Sequence, residues 1–171
     1  TKAFPKYIQV VKIGPIEIVE SIESHADYLY PRLREMDKRE IWLQDANPAE
    51  VLHCPLQHNH TTLTALYDSQ PMCMFGTVGI DDCNDAIVWA LGSNLIDEKK
   101  KSFYKASLQV VNILQSDYTK IWNVVPCDHL QTIAWLKKLD FQISNQYFSL
   151  KNVPMLYFSR CNNQKSMATV H

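Results

Sequence analysis

Three stretches of the sequence concentrate side chains able to do chemistry. His53-Cys54-Pro55-Leu56-Gln57-His58-Asn59-His60 puts three imidazoles and a thiol within eight residues. Such a set could bind Zn²⁺, and His58 and His60 share a face if the chain is extended. The spacing matches no familiar zinc site, and no second pair of ligands stands elsewhere. The stretch therefore reads as a polar loop leading into a strand, with no metal assigned. Cys127 stands beside Asp128 and two residues before His129, at an expected helix N-terminus that would lower a thiol pKa. Adjacent positions do not make side chains converge, however, and cysteine–histidine pairs usually come from distant segments. Glu35, Asp37 and Glu40 are interleaved with Arg32, Arg34, Lys38 and Arg39. One reading is a solvated helical face. The other is a carboxylate that holds a cationic amine or takes its proton.

Composition limits what these residues can serve. The chain has 171 residues, 46% hydrophobic and 20% charged, enough for one domain with a real core. Its net charge of −1 gives no overall positive field for a polyanion, so no dedicated nucleic-acid binding is expected. Four glycines (Gly14, Gly76, Gly79, Gly92) cannot build a Walker A loop or a three-glycine dinucleotide fingerprint. P-loop nucleotidases and ordinary nicotinamide dehydrogenases are excluded. No apolar run approaches the ~18 residues that span a bilayer, and Thr1-Lys2-Ala3-Phe4-Pro5-Lys6 has no signal-peptide h-region. Five cysteines, odd in number and irregularly spaced, read as reduced thiols in a cytosol-like compartment.

The elements that must position these groups follow from periodicity and capping. Tyr7–Val11 and Ile16–Glu20 alternate as short strands. Ser24 opens a helical segment to about Met36, with Pro31 either in its first turn or breaking it. Asp37–Leu43 reads as a further helical turn or two, and Asn47-Pro48-Ala49-Glu50 is a helix start. Thr61–Tyr67, Met72–Val78 and Ala86–Leu91 form an antiparallel meander, with turns at Asp68-Ser69-Gln70-Pro71 and around Asp81, Asp82 and Asp85. Asp97 is expected to cap a helix carrying Phe103, Ala106, Val110, Val111 and Leu114 on one face. Ile121–Val125 is a strand, and Asp128-x-x-Gln131 resembles a capping box for a helix ending at Leu139. Asp140 takes the left-handed cap position. A closing hairpin runs Tyr147–Leu150 and Met155–Ser159. That order predicts an α+β fold of three layers (α/β/α). Its central sheet is mixed and mostly antiparallel, about six to seven strands with helices on both faces. Residues 1–160 form one domain and 161–171 a loose tail.

Met74-Phe75-Gly76-Thr77-Val78-Gly79, then Ala86-Ile87-Val88-Trp89-Ala90-Leu91-Gly92 with its following helix, then Ile121-Trp122-Asn123-Val124-Val125 before His129–Phe141, carry a family likeness. In this order they resemble the third strand, the fourth strand with its pyrophosphate-facing helix, and the fifth strand with the helix ending in Leu-Gly-Phe of the GNAT superfamily of acyl-CoA-dependent N-acyltransferases. The likeness covers about Ile16 to Arg160. The strings Leu33-Arg34-Glu35-Met36-Asp37 and Ile133-Ala134-Trp135-Leu136-Lys137-Lys138-Leu139-Asp140-Phe141 resemble a bacteriophage branch that includes internal virion proteins of short-tailed phages.

The resemblance implies acetyl-CoA as cofactor and an amine, small molecule or protein, as acceptor. Attack on the thioester is then direct, with the oxyanion near a fourth-strand backbone N–H. It places the pantetheine arm between splayed fourth and fifth strands, on the backbone of Trp89, Ala90 and Leu91, with Asn123 flanking. Gly92, Ser93 and Asn94 take the place of the pyrophosphate loop. Glu35, Asp37 and Glu40 fall on helices lining the acceptor side, and His129 or water handles the released proton. Two departures stand out. The family loop, Gln/Arg-x-x-Gly-x-Gly/Ala, is here Gly92-Ser93-Asn94-Leu95-Ile96-Asp97, with a carboxylate where phosphates would sit; Lys99, Lys100 and Lys101 partly offset it. The family's general-acid tyrosine falls at Leu136, and Trp135 beside it offers no usable proton. The alternative is therefore a non-catalytic virion or assembly protein that keeps the fold, with other virion proteins as partners. The implied location is the host cytoplasm, or the virion.

Overall fold

Pro31 decides how the chain enters its first helical layer. In the computed structural model, which describes residues 11–57, 61–80 and 83–162, α1 (Glu23–Leu29) stops before the proline. A 3-10 turn over Tyr30–Arg32 follows, Leu33 is extended, and α2 (Glu35–Leu43) starts afresh. The proline ring cannot sit inside a helix, so one expected segment becomes two. Next comes α3 (Pro48–Gln57), where the Asn47 side chain accepts the Ala49 N–H at 2.9 Å, the expected proline-opened start. His58 and His60, Asp81 and Asp82, the 7–10 part of the first strand and the tail from 163 lie outside the described residues.

Among the described residues, eight strands form one sheet: β1 (Val11–Ile13), β2 (Ile16–Glu20), β3 (Thr62–Tyr67), β4 (Gln70–Gly79), β5 (Asp85–Gly92), β6 (Lys120–Pro126), β7 (Gln142–Leu150) and β8 (Val153–Cys161). Their order is β1-β2-β3-β4-β5-β6-β8-β7. All neighbours are antiparallel except β5 and β6. The mixed, three-layer α+β architecture is as expected. The sheet has one strand more than the expected six to seven, and Gly14, at φ 58°, makes the turn that pairs Val11–Ile13 with Ile16–Glu20.

Between β5 and β6 the chain makes α4 (Leu95–Glu98) and α5 (Lys100–Gln115), and α6 (Leu130–Lys138) follows β6. The amphipathic face of α5 supplies Phe103, Ala106, Val110 and Leu114 to a core with β2, β3 and β4. Leu136 and Leu139 of the α6 region pack on the same side with Ile121, Val125, Phe141 and Phe158. On the opposite side, Ala26, Leu29, Ile41 and Leu52 of α1–α3 meet Met74 and Leu91. Two caps differ from expectation. Asp97 lies inside α4 and Lys99 stands at the α5 N-cap, while α6 begins at His129 because the Asp128 carboxylate is taken by Arg39. Asp140 holds φ 66° in the left-handed position expected of it.

Candidate functional site

The pairing between β5 and β6 lasts only three residues: Asp85 with Lys120, Ala86 with Ile121, Ile87 with Trp122. From there the two parallel strands separate. β4 and β5 stay in unbroken register to Gly92, and β6 stays paired to β8 as far as Pro126. The gap is therefore a property of the β5–β6 seam, with both walls held rigidly from outside. It opens into a cavity of about 450 Å³ that runs between the α2–α3 side and the α5–α6 side of the sheet.

Backbone direction alternates along a strand, so only every second residue turns its N–H and C=O toward the gap. Thr77 donates its N–H to Thr61 on the β3 side, so Val88 opposite it must face β6. Indeed the Asn123 side-chain amide donates to the Val88 carbonyl at 2.7 Å, while its oxygen accepts the Val124 N–H at 2.7 Å. Asn123 thus plugs the apex of the splay. At the other end, Gly92 donates to Asp37 Oδ2 at 3.0 Å and accepts the Arg34 N–H at 3.0 Å. Between these two stoppers, Ala90 is the residue whose backbone faces the open gap. Trp89 and Leu91 point their backbone at β4 and their side chains at the α1–α3 side. Gly76 is needed for this: a Cβ there would lie 2.6 Å from the Trp89 ring.

The carboxylates sort clearly. Glu35 is 91% exposed and bound to Lys38, outside the cavity lining. Asp37 lines the cavity but is 2% exposed and fully engaged. Arg34 binds both its oxygens, at 3.0 and 3.2 Å, and Gly92 donates to one of them. It fastens α2 to the end of β5 and has no lone pair aimed at an amine. Glu40 also lines the cavity, and its Oε1 meets His129 Nδ1 at 3.0 Å across 89 residues of sequence. Burial pushes the Glu40 carboxyl above the usual range, opposed in part by the hydrogen bond from His129. Arg39 reaches His129 Nε2 at 3.3 Å and both Asp128 oxygens at 3.0 Å. A ring protonated at Nδ1, donating to Glu40 and accepting from Arg39, satisfies both contacts.

Gly92, Ser93 and Asn94 lie outside the cavity lining. The Ser93 N–H donates to Met72 O at 3.0 Å, and the Ile96, Asp97 and Glu98 N–H groups all donate back into the Ser93–Asn94 carbonyls. Amides spent this way cannot cradle a phosphate, so an anion at this mouth is left the α5 N-terminus and side chains. Lys100, Lys101 and Lys138 line the α5–α6 mouth. Asp97 does too, with Arg34 at 3.8 Å. Leu136, at the family's tyrosine position, is a buried wall of the cavity. Burial drives the Cys73 thiol well above its ordinary range, leaving it inert there. Cys127 forms no pair with His129, whose ring is held by Glu40 and Arg39. His53 pairs with Asp27 at 3.3 Å, and among the described residues no three metal-ligating side chains cluster. Sequence reasoning missed the Glu40–His129 pairing, Lys138, and the use of Arg34 to neutralise Asp37. The first two arise from long-range packing and leave no local signal. The i,i+3 spacing of Arg34 and Asp37 was a usable one.

No family model matches the sequence, and no curated protein matches it. Solved structures do match. An acetyltransferase of the GNAT family from Bacillus anthracis superposes with a TM-score of 0.66 at 6% identity, over 90% of this chain and 98% of that one. AAC(6')-Ib in complex with ribostamycin and coenzyme A gives 0.64 at 17%, over 88% and 96%. The ribosomal L7/L12 α-N-protein acetyltransferase RimL in complex with coenzyme A gives 0.62 at 11%, over 90% and 98%. The fold is that of the GNAT acetyltransferases.

Proposed function

We propose that this GNAT-fold chain is an acetyl-CoA-dependent N-acetyltransferase acting on a primary amine. The observation that carries it is the splayed β5–β6 seam, which joins a lysine-lined mouth to the half-buried Glu40 through one continuous cavity, with His129 bonded to Glu40 from outside the cavity lining. The gap suits a pantetheine arm, whose amides would pair with Ala90 as an added strand. Lys100, Lys101 and Lys138 suit the phosphates. Acetyl-CoA would supply an activated acyl carbon with a thiolate leaving group.

The chain's own residues do the rest. Glu40, with its raised pKa, takes one proton from the incoming ammonium. The amine nitrogen bonds the acyl carbon, the C–S bond breaks, and the departing sulfur gains the second amine proton. With leucine at position 136, that proton travels by water or by His129. His129 donates a hydrogen bond from Nδ1–H to Glu40 without giving up that proton, and Arg39 and Asp128 keep the ring in register. Apolar walls from Trp89, Leu136 and Phe158 keep bulk water from the thioester.

A second reading is favoured by the consumed amides of the Gly92–Asp97 segment and by Leu136. A phage-encoded protein could retain this fold as a virion or assembly component, with other virion proteins as partners. Calorimetry with acetyl-CoA decides between them. Saturable binding with thiol release on adding an amine supports the enzyme. Absence of binding at millimolar acetyl-CoA overturns it, and mass spectrometry of purified virions then tests the structural role. The phage origin, and a location in host cytoplasm or particle, rest on the sequence likeness of residues 33–37 and 133–141 and belong to this proposal.

A further inference from the structure

β7 is the last strand of the sheet, and among the described residues no strand pairs with its outer edge. Prolines on the neighbouring strands fix which of its backbone groups face outward. Cys127 donates its N–H to the Pro154 carbonyl at 2.9 Å, so Pro154 turns its backbone toward β6. Ser149, opposite Pro154, belongs to a pair that exchanges no hydrogen bonds and turns its own N–H and C=O outward. Met155 stands between Pro126 of β6 and Phe148 of β7. Pro126 has no N–H to give, so Met155 and Phe148 bond each other. By the same alternation Tyr147 faces outward like Ser149. The Tyr147 side chain is 71% exposed and that of Phe148 44%.

An open edge with free backbone groups is a template for another strand, and proteins commonly blunt it with lysine, proline or a very short strand. β1, at the opposite edge, is three residues long and carries Lys12. β7 is nine residues long, QISNQYFSL, with neither a charge nor a proline. Lys151, the first charge after it, is drawn aside to the Trp42 carbonyl at 2.6 Å and to Asp45 at 2.7 Å. The register slips between Ile143 and Tyr147, where the Ser144 hydroxyl accepts the Gln146 N–H at 3.1 Å, so the straight open edge is confined to Tyr147–Ser149. That segment matches itself. About a two-fold axis at Phe148, Tyr147 of one copy falls opposite Ser149 of the other, and each such pair exchanges N–H and C=O groups in both directions. The two Phe148 side chains then form a cross-strand aromatic pair on one face of the joined sheet. No like charges meet at the axis, as they would for Lys12 on β1.

We propose that two copies of this chain join antiparallel along β7, about a two-fold axis at Phe148, so that the sheet runs on from one copy into the other. The interface is small, and association in the micromolar range is expected. Sedimentation of the full chain from about 1 to 100 µM should show a monomer–dimer equilibrium. Phe148→Lys and Phe148→Glu each set like charges face to face and should weaken association about tenfold or more. An equimolar mixture of the two variants should restore dimers, because each then meets the opposite charge across the axis. Ser149→Pro removes an outward N–H, leaves the β7–β8 ladder intact and should weaken association about fivefold. It also keeps the test open if a charge at 148 impairs folding, which far-UV circular dichroism reads. A parent that stays monomeric at the upper concentration overturns the proposal. So does a dimer that survives both charge variants, or one that their mixture fails to restore.

Discussion

Two acids three residues apart on one helix do opposite work because of what surrounds them. Asp37 is saturated by the Arg34 guanidinium and the Gly92 amide. Replacing it with alanine strands a mostly buried cation and a backbone donor, so Asp37→Ala is expected to cost about 3–5 kcal/mol. At this chain length that is roughly 10 °C or more in melting temperature, read by calorimetry; Asp37→Asn, which keeps an acceptor, should lose less. Glu40 has no such neutralising partner, and burial raises its pKa. The folded state therefore binds its proton more tightly than the unfolded chain does. That stabilisation is full below the ordinary carboxylate range and is lost as pH climbs through the raised value. Glu40→Gln removes the titration. The variant should melt no lower than the parent at neutral pH, and the parent's gain on acidification through the Glu40 titration should be missing from it. Its acetyl transfer should drop by about 10²–10⁴-fold and lose the rise with pH that the parent shows as Glu40 deprotonates. Destabilisation at neutral pH with normal transfer would mark Glu40 as structural.

At the scale of the elements, the strand seam matters more than any side chain on it. Ala90 turns its N–H into the gap and not to β4, so a proline there removes a donor without breaking the β4–β5 ladder. Ala90→Pro should weaken acetyl-CoA about tenfold, the worth of one lost hydrogen bond of about 1–1.5 kcal/mol, with little change in melting. Gly76→Ala should do the reverse. Its Cβ would strike the Trp89 ring, so stability falls by about 1–3 kcal/mol and tryptophan fluorescence shifts. The same contrast explains what was legible in the sequence. Strand alternation, the Asn47-Pro48 start, the Asp140 turn and the closing hairpin are local, so their residues announce them. Pro31 announced a break but not the 3-10 turn that absorbs it. The cap expected at Asp128 failed because Arg39, 89 residues away, claims that carboxylate. A single-element reading sees only neighbours within a turn or two, and the Glu40–His129 contact is made by tertiary packing alone.

Across the whole molecule, the near-zero net charge hides an axis. The sequence sum of −1 predicts no field, yet the cavity has Lys100, Lys101 and Lys138 at one mouth and Glu40 toward the other. That polarity would orient a ligand with an anionic tail and a reactive head facing a cationic amine, with no need for the loop amides that this chain spends on itself. Side-chain cations on an exposed rim act through solvent and are screened as salt rises. Between about 0.1 M and 1 M salt the Debye length falls from about 10 Å to about 3 Å. Acetyl-CoA affinity should therefore fall several-fold over that range, and a Lys100→Gln, Lys101→Gln double variant should start weaker and show a flatter slope. Calorimetric titration of acetyl-CoA against the parent and the double variant at the two salt concentrations measures this directly. An acetyl-CoA affinity indifferent to salt would move phosphate recognition off the lysine side chains and onto the backbone N–H groups at the α5 N-terminus, which need open no internal hydrogen bond to bind.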